Sequence, residues 1–230
     1  MMVLSTFYAI DRAVLVFFND SSSLFFDGVA LALTSGYTWI PLYVALLYIV
    51  IKNNETMAQI GLVIASAAVC VALADGMADF LVKPLVARWR PSNDPVIKYT
   101  VDIVAGVRGD KYSFFSAHAA NTMAIATYFC ILVRSRLFTV LMVSWSLINC
   151  WTRLYLGLHY PSDILAGLAW GWVVGVAVYL LYQRLYARIS PKLNYVSTQY
   201  TPTGYCLSDI DVVACVMSFT LVAAVIYSVL

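Results

Sequence analysis

Charge is what this sequence has least of. Only 11% of its 230 residues are Asp, Glu, Lys or Arg, against about 25% in a typical soluble domain. One globular unit of this length needs far more polar cover, so a water-soluble fold is excluded. The net charge of +2 and the lack of any Lys/Arg run leave no electrostatic footprint for nucleic acid. None of the five cysteines forms a Cys-x-x-Cys pair, so they read as small apolar fillers rather than redox or metal ligands. The N-terminus, MMVLSTFYAIDRA, lacks a basic stretch and a small-residue cleavage site, so no removable signal peptide is expected. There is no internal repeat and no low-complexity segment. Histidine is scarce too, with two residues, His118 and His159.

What is there in quantity is apolar material, 62% of the chain. A membrane-spanning helix needs about 20 such residues to cross a hydrocarbon layer about 30 Å thick. Stretches of that kind run over residues 57–82, 116–133, 137–151, 164–185 and 212–230. Another ends at Ile51, after apolar sequence interrupted by Asp27, Gly36 and Pro41. Residues 24–34 alone are too short to cross, and residues 7–18, broken by Asp11 and Arg12, suit an interfacial helix. The expected architecture is therefore an all-α polytopic membrane bundle of about six crossings behind an N-terminal interfacial segment. It reads as one domain, with residues 1–34 interfacial, 57–187 a catalytic core, and 188–230 a connector and last span. The polar connector carries turn signals at Pro202 and Gly204, and most of the six tryptophans read as membrane-interface anchors.

The chemistry-bearing residues gather at the ends of spans. Residues 83–115 form a long polar loop with Pro84, Pro91 and Pro95, and loops of that length in compact folds are usually functional. With alternating crossings, the end of the second span at Lys83, the start of the third near Ser116 and the end of the fourth near Arg153 share one face. Lys83, Arg88, Arg90, Ser116, His118, Arg153, His159 and Asp163 can then converge. Cations with a histidine pair suit a highly charged tetrahedral anion, of which phosphate is the commonest. Phosphoryl transfer needs little beyond positioning, charge stabilisation, a nucleophile and an acid for the leaving group. If Pro161 opens a helix, Asp163 lies in its first turn and can accept the N–H of His159, freeing the other nitrogen to attack. Asp75, Asp79 and Lys83 share a helix face, so Asp79 is expected to pair with Lys83. Arg88 reads equally well as a further phosphate contact or as part of a solvated face.

These blocks resemble the type 2 phosphatidic acid phosphatase superfamily. Lys83 followed after six residues by Arg90-Pro91 is the first block; Phe115-Ser116-Ala117-His118 resembles Pro-Ser-Gly-His; Thr152-Arg153, His159 and Asp163 resemble the third. The likeness covers residues 75–187, and the departures are Phe115, Ala117 and Thr152. The Ala in place of Gly matters only if that position needs a positive φ. The resemblance implies His159 as a nucleophile forming a phosphohistidine, Asp163 orienting it, and His118 protonating the leaving oxygen. It implies Lys83, Arg90, Arg153, Ser116 and the Ala117 N–H as the phosphate cradle, with no metal or organic cofactor.

The function expected is hydrolysis of a lipid phosphate. Lipid A, undecaprenyl pyrophosphate, phosphatidylglycerol phosphate and phosphatidic acid types all remain open as substrates. A lipid-to-lipid phosphotransferase using the same site is the alternative. A transporter or scramblase, from a different class, lacks support because no inverted repeat is visible. The two shortest loops opposite the site, carrying Lys52, Arg134 and Arg136, are basic. The positive-inside rule then puts the site on the extracytoplasmic face of a bacterial-type inner membrane.

Overall fold

The computed structural model describes residues 2–189 and 198–229, with side chains from residue 8 onward. The helices are α1 (Met2–Asn19), α2 (Leu24–Thr34), α3 (Ile40–Lys52), α4 (Met57–Gly76), α5 (Lys83–Val86), α6 (Ala117–Val133), α7 (Arg136–Tyr155), α8 (Pro161–Ile189) and α9 (Leu207–Tyr227). A π-helical stretch, Met77–Val82, joins α4 to α5. Among the described residues no strand forms, only two isolated bridges. Local chemistry accounts for the boundaries. Thr56 and Gln59 cap α4 reciprocally, each side chain bonding the other's backbone N–H at 3.3 and 3.1 Å. Ser135 caps α7, and Ser116 caps α6 by accepting from the Ala119 N–H.

Four helices are long and apolar enough to cross a membrane: Met57–Val86, Arg136–Tyr155, Pro161–Ile189 and Leu207–Tyr227. Tyr8–Asn19 and Leu24–Thr34, bent by 107° to each other, make a fifth if counted as one broken span. The expected count of six is therefore not met by length. The shortfall lies in Gly36–Lys52 and Ala117–Val133. At 17 residues α6 is about 26 Å long, and it is enclosed by α4, α7 and α8, so its neighbours face the lipid in its place. The Pro202–Gly204 turn forms, with Gly204 N–H bonded to Thr201 O at 2.9 Å; most of the connector before it lies outside the described residues, as does Lys192. Two tryptophans depart from the interface role. Trp39 and Trp145 are buried and meet edge to face at 6.1 Å, with the Trp39 indole N–H satisfied by Leu33 O at 2.9 Å.

The packing that positions the site is α8 against α6. Gly167, Gly171 and Gly175 recur every fourth residue, so they make a stripe along one face of α8. A Cβ at these positions would lie 2.6, 2.3 and 2.7 Å from the carbonyl oxygens of Ser116, Ala120 and Ala124. Small residues on both helices let the backbones approach this closely, as in membrane helix pairs generally. The Ser116 N–H closes the contact on the Asp163 carbonyl at 3.1 Å, which registers the start of α6 against the start of α8. Gly171→Val should therefore cost about 1–3 kcal/mol, because backbone rather than a flexible side chain blocks the added atoms. Thermal unfolding in detergent checks this. Gly61→Ala, at a glycine with nothing within 4 Å of its would-be Cβ, should leave the melting temperature unchanged or raise it.

Candidate active site

Residues 153–163 build the core of the site. The Leu158 N–H bonds Arg153 O at 3.0 Å and the Gly157 N–H bonds Leu154 O at 3.0 Å, with Gly157 at φ +62°. This is a Schellman ending, and glycine is required: a Cβ at Gly157 would also lie 2.5 Å from Val101. The reversal carries the chain through His159 to Pro161, which opens α8 as expected. Asp163 then sits at the third helical position. Its Oδ2 accepts the Tyr160 backbone N–H at 3.0 Å, closing the helix start, and faces His159 Nδ1 at 3.7 Å.

The other nitrogen of His159 fixes the tautomer. Nε2 lies 3.3 Å from Arg90 Nη1. A guanidinium can only donate, so Nε2 presents a lone pair to it and the proton resides on Nδ1, facing Asp163. That Nδ1 has no hydrogen-bond partner within reach; such contacts are often long before substrate arrives. Burial, with Arg90 and Arg153 adding to it and Asp163 opposing, pushes the His159 pKa down to about 4. The imidazole is therefore neutral around pH 7 with its lone pair on Nε2.

The cations stand around this nitrogen. Arg90 is buried, held by Leu158 O at 3.2 Å and packed on the Gly109 backbone. Burial lowers its pKa more than Asp110, Asp163 and Asp79 restore it, so it is short of counter-charge. The buried Nε–H groups of Arg90 and Arg153 have no protein acceptor. Arg153 spends Nη2 on Thr34 O at 3.3 Å. Lys83 pairs with Asp79 at 2.5 Å as expected, while Asp75 instead accepts from the Asn121 amide at 2.9 Å. His118, in the first turn of α6, is exposed, and Arg153, His159, Lys83 and Arg90 are all close enough to act on it electrostatically. Ala117 is helical and is not among the positive-φ residues, so Ala in place of Gly carries no backbone penalty. The Thr152 hydroxyl donates to Asn149 O at 2.8 Å. Lys83, Arg90, Ser116, Ala117, His118, Arg153, His159 and Asp163 are thus brought to one end of the bundle. Among the described residues no group of three or more His, Cys, Asp or Glu is placed to hold a metal ion.

Two residues beyond these belong to the same place. Arg88 is turned inward onto Asp163, at 2.7 Å, so it is neither a free phosphate contact nor part of a solvated face. Asp11 on α1 is buried and pairs with Arg88. The signal for Asp11 was a carboxylate inside an apolar helix, where such a group is costly unless paired.

Over residues 37–187 the sequence matches the PAP2 superfamily, and the chain belongs to it. It is a multi-pass membrane phosphatase, a hydrolase of phosphoric monoesters. Among its relatives, the lipid A 4'-phosphatase of Bacteroides thetaiotaomicron is 36% identical over 221 residues, covering 96% of each chain. The lipid A 4'-phosphatase of Porphyromonas gingivalis is 30% identical over 78% of this chain and 75% of its own. The crystal structure of a transmembrane PAP2 type phosphatidylglycerolphosphate phosphatase from Bacillus subtilis shares the fold. It superposes with a TM-score of 0.58 at 16% identity, covering 82% of this chain and 90% of that one.

The electrostatics of His159 give a pH prediction. Its pKa is held below the ordinary 6.5, so if the neutral imidazole is the nucleophile expected from the sequence, activity should persist below that value and fall as the ring takes up a proton. Asp163 is the one neighbour raising that pKa, so Asp163→Asn should move the acid limb of kcat/KM to still lower pH. It should also reduce kcat by roughly a hundredfold, as a wrongly held tautomer does elsewhere. Profiles of both enzymes on one substrate check this, since the substrate's own titration is common to both.

Proposed function

We propose that this enzyme hydrolyses a lipid phosphate monoester through a phosphohistidine, without a metal or organic cofactor. The observation that carries the reading is the His159 imidazole, neutral, with its Nε2 lone pair directed into the cations and its Nδ1 proton towards Asp163. Nε2 attacks phosphorus in line, and the bond from phosphorus to the lipid oxygen breaks. His118, which holds a proton once the phosphate dianion offsets the surrounding cations, gives it to that oxygen, then takes one from the water that attacks the phosphohistidine and releases inorganic phosphate. Lys83, Arg90, Arg153, Ser116 and the Ala117 N–H hold the phosphoryl oxygens, stabilising charge that spreads over them in the transition state.

A lipid substrate is supported by the surroundings of Lys83, where Phe80, Leu81, Leu85 and Val86 are all exposed beside a charged site. A lipid A-type phosphate is favoured by the likeness to the two lipid A 4'-phosphatases, which for one of them runs nearly end to end. The whole chain works as one domain. The site faces the periplasmic side of an inner membrane, a reading supported by the basic loops at Lys52 and at Arg134 and Arg136 on the opposite end.

Phosphate release by purified protein tests this. His159→Ala should abolish turnover, and residual activity above a few per cent would remove it as nucleophile. His118→Ala should cost much more on a lipid phosphate than on p-nitrophenyl phosphate, whose leaving group needs little protonation; equal losses would take the acid role from His118. Activity should survive EDTA and be blocked by vanadate. Loss on chelation, restored by Mg²⁺, would overturn the mechanism.

A further inference from the structure

Asp163 has no exposed surface, and a buried carboxylate needs a cation beside it. The nearest one is Arg88, whose Nη1 reaches Asp163 Oδ1 and Ser162 Oγ, both at 2.7 Å. Its Nη2 pairs with Asp11 Oδ2 at 2.5 Å, and the guanidinium lies over the Tyr160 ring at 3.9 Å. Asp11 also accepts the Ser162 N–H at 2.9 Å and its hydroxyl at 2.6 Å. Both terminal nitrogens of Arg88 are thus engaged by carboxylates, and its pKa lies above the ordinary arginine value: burial opposes the charge, but Asp163 and Asp11 outweigh it.

We infer that Arg88 and Asp11 are positioning residues that act on His159 through Asp163, so that helix α1 is part of the catalytic machinery; this rests on His159 being the nucleophile. With Oδ1 held by Arg88, the Asp163 carboxylate cannot rotate, and Oδ2 is left facing both the Tyr160 N–H and His159 Nδ1. Without Arg88, Asp163 turns to Arg90 or Arg153 or takes up a proton, and in each case the acceptor for Nδ1–H is lost. Asp11 keeps Arg88 turned inward. Its place is set by α1, whose buried stripe Asp11, Leu15, Asn19 recurs every fourth residue. Leu15 packs with Val101 and Tyr160. Asn19 ties the Asp102 backbone, at 3.0 and 2.8 Å, to Tyr155 O at 2.7 Å. All three positions of the stripe therefore clasp the loop and the His159 turn.

The test is a set of variants, Asp11→Asn, Arg88→Gln, Arg88→Lys, Asp163→Asn and the double Arg88→Gln/Asp163→Asn, assayed for kcat, KM and vanadate inhibition. Arg88→Gln should lower kcat roughly ten- to a hundredfold, the range seen for residues that orient a functional ligand from behind. KM and vanadate affinity should stay within about twofold, because neither residue touches phosphate. Arg88→Lys should recover part of kcat, since an ammonium restores the charge but not the two-pronged grip. Asp11→Asn should fall in the same direction as Arg88→Gln. In the double variant Arg88→Gln should add less than about twofold to the loss from Asp163→Asn, because both act on one group. A raised KM, weakened vanadate inhibition, multiplying losses or a fully active Asp11→Asn would overturn the inference. Retained vanadate inhibition shows the site is folded; if Arg88→Gln yields no folded protein, Arg88→Lys and Asp11→Asn decide by the same criteria. Near-normal kcat for Asp163→Asn alone would instead sink the orienting role on which the proposed mechanism depends.

Discussion

Asp163 is a carboxylate with no exposed surface, and most of the functional end of the bundle is arranged to make that tolerable. Four groups converge on it: the Arg88 guanidinium on one oxygen, the Tyr160 N–H and the His159 ring on the other, and the Ser116 N–H on its main-chain carbonyl. They arrive from three parts of the chain. The loop after α5 brings Arg88, the Schellman reversal brings His159, and the start of α6 brings Ser116. Leaving any of these unmet in an apolar surround costs far more than a surface contact would. The carboxylate therefore acts as a fixed point from which α1, the loop and the starts of α6 and α8 take their positions.

Around it, opposite charges are separated by function. The anions, Asp163 and Asp11, lie behind His159 and are paired by Arg88. The cations, Arg90 and Arg153, lie away from that pair, Arg90 beside Nε2, with buried N–H groups that find no protein acceptor. A histidine between the two would be drawn towards the charged form by the first set and away from it by the second. Burial together with the cations prevails, which leaves the ring neutral and its lone pair directed at the place where a phosphate would complete the charge balance.

The bilayer sets the second constraint. Exposed apolar residues cover most of the helices, and the short α6 is possible because α4, α7 and α8 surround it. Glycine at every fourth position of α8 draws it onto α6 closely enough for main chain to meet main chain. In lipid, where apolar burial between helices brings little, such contact is a principal source of association. The same contact places Ser116 and His118 across from His159.

Much of this was legible in the sequence. Low charge and long apolar stretches require a helical membrane bundle, because only helices and closed barrels satisfy the backbone in lipid. The ends of those stretches put Lys83, Arg90, Ser116, His118, Arg153, His159 and Asp163 on one face by parity alone, and the pairing of Asp79 with Lys83 follows from helical spacing. What the sequence could not contain was depth and direction. Whether α6 spans or is sheltered depends on its neighbours, and Trp39 and Trp145 became core residues because the turn before α3 and the middle of α7 bring their rings together. Arg88 is two residues from Arg90 yet points at Asp163 rather than at the Nε2 side of His159. Asp11 meets a partner 77 positions away. Local spacing carries the period of a helix and the chemistry of a cap; which buried charge meets which is decided only when separate elements are folded against each other, since desolvation penalises each charge until its partner arrives.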